Sequence, residues 1–582
     1  PDLQEVIHRH SLNEDAHRVQ ARNKRHKRKQ NTARENIARL CDEDSFIEYG
    51  ALALAAQRRR RSLEELIRLS PADGLITGLA TVNAKNFGAE KARCAVMSYD
   101  YTVFAGTQGA FNHKKTDRLI HVVQDLGLPF ILLTEGGGGR PGEVDVPAVA
   151  GLDIPTFRQF AALKGRSLRV AIADGRCFAG NAALFGASDI RIATREATIG
   201  MGGPVMIKGG GLGSYRAEDV GPAEMHHRTG VVDILSENDS EAVTVAQQCL
   251  SYFQGNITPG PVADQRILRH LIPENRKRTY DIHDLIKNLC DESSFLELKG
   301  AYGKSIITGF IRIQGRPLGL LASNPNFLAG AIDANAADKA ASFLRLCDSG
   351  KLPVLSLCDT PGFMVGPEAE SQALVRFAPD FFSAAAEISV PMFTVILRRG
   401  YGLGAMAMAG ARKCASCFAK EAVSSAVERH HPGGREPGAA GTASEGAGRE
   451  TEAGAPEEAD ALGALLSELR TVEKQIALGA TPEFRARMLD KARELRSDIK
   501  RLEQRKKVSL MQQRVAARKA ATRKVARPPS ATARRPHSPG GRIGRAPDAP
   551  DFAVQGWAAA PAAQDSTRSK SMAGRRKVTQ PR

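Results

Sequence analysis

The chain has 582 residues, 42% of them hydrophobic and 25% charged, which is room for about three to five domains with real cores. It holds no charge-free apolar run of about 18 residues, which excludes an ordinary membrane span, and its nine cysteines are too few for a disulfide scaffold, which points to a reducing, cytoplasmic setting. The net charge of +18 is unevenly placed: residues 1–410 carry 48 Lys or Arg against 45 Asp or Glu, whereas residues 501–582 carry 20 against 4. The basic character therefore belongs to a tail, and nucleic acid is not expected as the partner of the body. The start has no apolar stretch fit for a secretory signal, and an opening Pro1 in place of Met fits a fragment.

In chain order, the body alternates short apolar runs with helical patterns. Extended stretches are expected at 73–81, 93–100, 128–133 and 168–173, and again at 305–317, 318–321, 354–357 and 392–397. Helices are expected between them at 116–126 and 334–346. Strand and helix in alternation predict α/β layers. The order occurs twice: an extended stretch, a strand, a helix, then LPFILLTEGGGG in the first half and LPVLSLCDTPG in the second. Each half then runs a strand into a Gly-rich turn, VAIADGRCFAGN and FTVILRRGYGLGA. This predicts two related domains, 1–262 and 263–410.

Residues 411–582 differ in kind. Gly, Ala, Glu and Pro dominate 432–459, and 411–460 reads as a low-complexity linker. Leu465, Leu469, Val472 and Ile476, then Met488, Ala492, Leu495, Ile499 and Leu502, have coiled-coil spacing over about two heptads, so helices are expected within 461–505. Residues 506–582 read as a basic disordered tail.

Candidate chemistry sits where strands meet glycines. Gly136, Gly137, Gly138 and Gly139, followed by Arg140, permit close backbone approach to a ligand, or make a plain strand–helix turn. Without a following Gly-Lys-Ser/Thr this is no nucleotide P-loop. Gly180 and Asn181 start a helix after a strand, as do the glycines Gly400, Gly402 and Gly404 with Ala405. Unpaired amides at a helix start can stabilise an oxyanion, while the plain alternative is close helix–sheet packing. Asp359, Pro361 and Gly362 end a strand. The acid is read either as orienting a loop or as a solvated strand end. Cys177 has no histidine placed to activate it and reads as a packing residue. Cys414 and Cys417, with His430 and His431 nearby, fall short of a zinc site, so no metal is expected. The basic stretch 18–29 reads as a solvated face or a phosphate contact.

Together, the phrases TARENIARLCDEDSFIEYG, YDYTVFAGTQG, TEGGGGRPG, LCDTPGFMVGPEAE and LRRGYGLGAMAMAG resemble the carboxyltransferase (beta) component of biotin-dependent acetyl-CoA and propionyl-CoA carboxylases. The resemblance covers about residues 15–410, in order, in both halves. It implies two tandem crotonase-like domains, the second truncated here, followed by a partly helical, partly disordered basic tail. It also implies transfer of a carboxyl group from carboxybiotin to the α-carbon of a short-chain acyl-CoA thioester. Gly180 and Asn181 would hold the enolate oxygen, and Gly404 and Ala405 the ureido oxygen of biotin. Gly136–139, Arg140, Gly362 and Gly402 would line the ligands. Many relatives have a second glycine where this chain has Asn181. The implied partners are a biotin carboxylase, a biotin carboxyl carrier protein and further copies of the chain, from dimer to hexamer. Alternatives are the carboxyltransferase of an acyl-CoA decarboxylase, or an inactive truncated product with a basic interaction tail. The resemblance is expected to stop after Gly410, where the composition shifts as in a changed reading frame or a fusion. An incomplete second half would leave a sheet edge and apolar surface uncovered, which predicts a destabilised or inactive chain.

Overall fold

The computed structural model describes residues 2–146, 154–275 and 277–410. The expectations for 411–582, including Cys414, Cys417 and the two histidines, lie outside the described residues. The first sheet has seven strands: β1 (Ile47–Tyr49), β2 (Leu75–Thr81), β3 (Arg93–Tyr99), β4 (Phe130–Leu133), β5 (Arg169–Ala173), β7 (Ile190–Thr194) and β9 (Ile234–Ser236). Between them, β6 (Arg176–Phe178) and β8 (Thr198–Gly200) leave the sheet and pair with each other. The second sheet contains β10 (Leu296–Leu298), β11 (Ile306–Ile313), β12 (Arg316–Ser323), β13 (Val354–Thr360) and β14 (Met392–Gly400). Both sheets open with two antiparallel pairings and continue in parallel. The second repeats the first as far as β5 and ends, among the described residues, on β14.

Parallel strands covered on both faces need apolar residues at every position, and β4 and β5 are buried throughout. One face packs Val96, Ile131 and Val170 into a core that also takes Phe310, Leu321 and Val354 of the second sheet. The other face packs Met97, Phe130 and Leu132 against Leu119, Ile120 and Val123 of the helix Ala110–Leu126. The helix Asp239–Gln254 lies in the shared core through Ala242, Ala246 and Leu250. Its C-terminal end is tied to the second half, because Arg312 donates to the carbonyls of Ser251 at 2.8 Å and Gly255 at 3.0 Å.

The repeat extends to buried polar groups. In the helix Ala110–Leu126, Lys115 donates to the carbonyls of Ala72 (2.9 Å) and Leu75. In the helix Ala334–Ser349, Lys339 donates to those of Lys299 (2.9 Å) and Tyr302 (3.1 Å). Burial pushes both ammonium groups down to about 8.

The expected strands appear within a few residues of their predicted ends. The first helix begins at Ala110, six residues before the apolar spacing becomes regular, because AFNHKK offers no stripe. The stretch 305–317 is β11 plus a hairpin turn at Gln314 and Gly315, both at positive φ. Sequence reasoning did not single out the helix Asp239–Gln254.

Candidate active site

The glycine loop of the first half is stitched down on both sides. Gly136 donates to the Arg176 carbonyl at 2.7 Å and accepts from Phe178 at 2.9 Å; Gly137 donates to Ala105 at 3.1 Å. Gln108 donates to Gly138 at 2.7 Å, and Arg140 returns to Gln108 at 2.8 Å. A Cβ on Gly136 would collide with the Asn181 amide and the Gly106 carbonyl. The amides of Gly136, Gly137 and Gly138 are therefore spent inside the protein, and Gly137 and Gly139 are the exposed members. Arg140 was expected to line a ligand. It is buried instead, pairing with Asp73 and with Glu143 (3.3 Å) and donating to the carbonyls of Asp73 and Thr107, both at 2.9 Å. It braces the loop and has no free edge for an anion.

Gly180 and Asn181 do open a helix, Gly180–Gly186. Ala179 before them holds φ 51°, ψ −118°, a strained setting for a residue with a Cβ, fixed by its N–H bond to Gly200 at 2.9 Å. As first-turn residues, Gly180 and Asn181 have no partner within the helix, and their N–H groups meet no acceptor among the described residues. A Cβ on Gly180 would run into Gln108 Oε1 and come within 3.0 Å of the Phe157 ring. The Asn181 side chain is fully buried. It accepts from the Gly138 N–H at 3.0 Å and donates to the Gly106 carbonyl at 3.3 Å. The residue that looked like a loss of glycine thus clasps three segments of the turn.

The second half builds the same clasp from a different residue. Thr360 Oγ1 accepts from Gly362 N–H at 3.1 Å and donates to the Gly330 carbonyl at 2.7 Å. Gly330 and Gly362 are the counterparts of Gly106 and Gly138. Both pairs have the same separation, and Ile332 donates to Gly362 (3.0 Å) as Gln108 does to Gly138. The helix Gly402–Met408 then starts against this loop, with a Cβ on Gly404 only 2.9 Å from Gly362 Cα. Because the helix begins at Gly402, Ala405 already donates to Tyr401 at 3.3 Å. Ala405 is therefore corrected from free donor to helix interior. The uncommitted first-turn amides are those of Gly402, Leu403 and Gly404, with no acceptor among the described residues.

Buried charge supports both turns. Asp359 is no solvated strand end; it is fully buried and held by Arg398 (3.0 Å), Arg399 (2.8 Å) and Tyr280 (3.0 Å). Glu135, its counterpart, pairs with Arg25 at 2.7 Å. Burial, helped by the Asp174 carboxylate and opposed by Arg25, pushes Glu135 up to about 8. Arg25 is thus an interior residue of the basic stretch, and the half-buried Arg18 pairs with Asp100 at 2.5 Å. A cleft of about 910 Å³ beyond the ends of β5 and β7 shares Glu135 with the loop but includes neither helix start. Cys177 is fully buried, with its thiol pushed up to about 12 by burial, as a packing residue should be. Phe157 beside Gly180, and His113 packed edge-on against Phe157, escaped sequence reasoning because neither belongs to a motif. His113 bonds Thr156 Oγ1 at 3.0 Å, and burial pushes it down to about 4.

A strand, a clasped glycine loop and a helix start with open amides therefore occur twice. The carboxyl transferase domain model matches residues 24–427. The chain belongs to that family. The match runs past Gly410, where the resemblance was expected to stop. The chain is 31% identical over 423 residues to the biotin-dependent acetyl-/propionyl-coenzyme A carboxylase beta5 subunit of Mycobacterium tuberculosis, covering 69% of this chain and 73% of that one. It is 55% identical, with a TM-score of 0.69, to a single-chain, multi-domain long-chain acyl-CoA carboxylase, covering 70% of this chain. The chain spans only 41% of that multi-domain protein. The transcarboxylase 12S hexamer, solved with hydrolysed methylmalonyl-coenzyme A bound, matches at 29% identity and a TM-score of 0.62, covering 70% of this chain and 80% of that one. The fold is thus the mixed α/β carboxyltransferase fold. No helix among the described residues is long and apolar enough to cross a membrane.

Proposed function

We propose that this chain is a carboxyltransferase that moves a carboxyl group between carboxybiotin and the α-carbon of an acyl-CoA thioester. The observation that carries this reading is the pair of helix starts with uncommitted amides. Enolate formation and biotin departure each leave a negative oxygen, and two preorganised sets of N–H donors match two such anions. Carboxybiotin, carried on a partner protein, supplies the activated carboxyl group when bound.

In this reading the amides of Gly180 and Asn181 hold the thioester oxygen, more strongly as it becomes an enolate. Those of Gly402, Leu403 and Gly404 receive the ureido oxygen, with Gly362 packed beneath. His113, pushed down to about 4 by burial, is neutral near pH 7 and packs edge-on against Phe157. The two sheets are read as two crotonase-like domains, 1–262 and 263–410, with the second truncated. A biotin carboxylase, a biotin carrier and further copies of the chain are the expected partners, in a cytoplasmic setting.

Two acyl classes have support: short chains from the acetyl-/propionyl relative, and long chains from the 55% identity to the long-chain carboxylase. The test is transfer of label from carboxyl-labelled malonyl-CoA or methylmalonyl-CoA to free biotin by the full chain. Labelled carboxybiotin supports the reading. Its absence at enzyme levels where a relative turns over rejects it.

A further inference from the structure

Beside the first helix start lies an apolar arm that the reaction above does not use. It runs from Met201 to Tyr215 and contains the short helix Pro204–Gly209. Five large apolar side chains stand out from it: Met201 is 72% exposed, Val205 85%, Met206 64%, Leu212 72% and Tyr215 52%. Lys208 is the single charge between them. Apolar side chains clustered this densely in the open generally mark a binding surface.

The arm's root places it. Gly200, the last residue of β8, accepts the N–H of Ala179, one residue before Gly180. A Cβ on Gly203 would be 3.4 Å from the ring of Phe178. The arm therefore leaves the fold against the strand that delivers the helix start. Glycines break it at 202, 203, 209, 210, 211 and 213, and Gly211 and Gly213 have positive φ. Short glycine-hinged segments carrying methionines adapt to ligands of variable shape.

We infer that the arm from Met201 to Tyr215 is a platform for the hydrocarbon tail of the acyl-CoA whose thioester sits at Gly180 and Asn181, and that it favours chains of medium to long length. The inference rests on the carboxyltransferase reading and assigns the part of that site which senses chain length. An acetyl group ends at the helix start and does not reach the arm. Each methylene that does reach it should tighten binding roughly fourfold if fully buried.

The test is calorimetric titration of the full chain with acetyl-CoA, hexanoyl-CoA and decanoyl-CoA, alongside sedimentation. The expected result is decanoyl-CoA at least tenfold tighter than acetyl-CoA. Met206→Asp and, separately, Leu212→Asp should each cut that ratio at least tenfold; both sites are exposed enough to take the charge without unfolding. Equal affinity for all three thioesters overturns the inference while leaving the carboxyltransferase reading intact. So does a variant that changes the sedimenting species but keeps the ratio, since the arm would then be a contact between copies. Failure to bind even acetyl-CoA overturns both.

Discussion

β5 and β14 occupy the same place in the two sheets, yet β5 is buried along its whole length while β14 leaves Phe393 62% and Val395 47% exposed. β5 is flanked by β4 and β7, whereas β14 pairs with β13 alone among the described residues. The turns that follow are nevertheless built alike. A strand's burial depends on its neighbours on both sides. A turn held by its own carbonyls and one side-chain clasp depends only on the few segments that meet at it. The geometry of the two turns therefore depends on fewer segments than the sheets that carry them. Even the clasp is interchangeable, supplied by Asn181 from the helix in one half and by Thr360 from the strand end in the other.

The largest expected effect is in the second half. Asp359→Ala strips Arg398 and Arg399 of their shared carboxylate and should cost about 3–5 kcal/mol in urea unfolding. A loss under about 1 kcal/mol would mean that water reaches those cations and that the second turn is not locally held. Next comes the strand contrast itself. Ile172→Ala in β5 should cost about 2–5 kcal/mol, and Val395→Ala in β14 under about 0.5 kcal/mol. Equal costs would break the distinction drawn between the sheets.

A pH scan sharpens the first turn. His113 falls to about 4 in the fold, so between pH 4 and 6.5 the unfolded chain binds more protons than the folded one. Stability should drop as pH falls through that window, by about 2–3 kcal/mol in total, and His113→Gln should flatten the slope. An unchanged slope would place the acid sensitivity elsewhere. Loss of a clasp has a modest expected cost, about 1–2 kcal/mol for Asn181→Ala or Thr360→Ala. Only Asn181 belongs to a helix start itself, so its variant should also slow carboxyl transfer, while Thr360→Ala should slow it less. The reverse order would show that the second turn limits the rate.

Much of this was legible in the sequence. The apolar runs of β3, β4, β5 and β13 and the doubled strand–glycine order mark the layers, because buried parallel strands leave unmistakable patterns. Gly180 and Asn181 were also placed correctly at a helix start. What escaped depended on contacts distant in the chain. Arg140 reads as a ligand residue until Asp73 and Glu143 are seen around it. Asp359 reads as solvated until Arg398, Arg399 and Tyr280 close over it. The first residue of a helix is also poorly marked by sequence, which is why the donor set moved from Gly404 and Ala405 to the three residues Gly402, Leu403 and Gly404.

The central claim is that two helix starts each stabilise one anion through backbone amides. Its most direct test is the rate of labelled carboxyl transfer to free biotin by Gly180→Ala and Gly404→Ala in the full chain, each shown to be folded by its unfolding curve. A Cβ at 180 displaces Gln108, and one at 404 pushes the helix off Gly362. The account predicts that each variant loses at least about 100-fold in rate. Wild-type rates in either folded variant would contradict it.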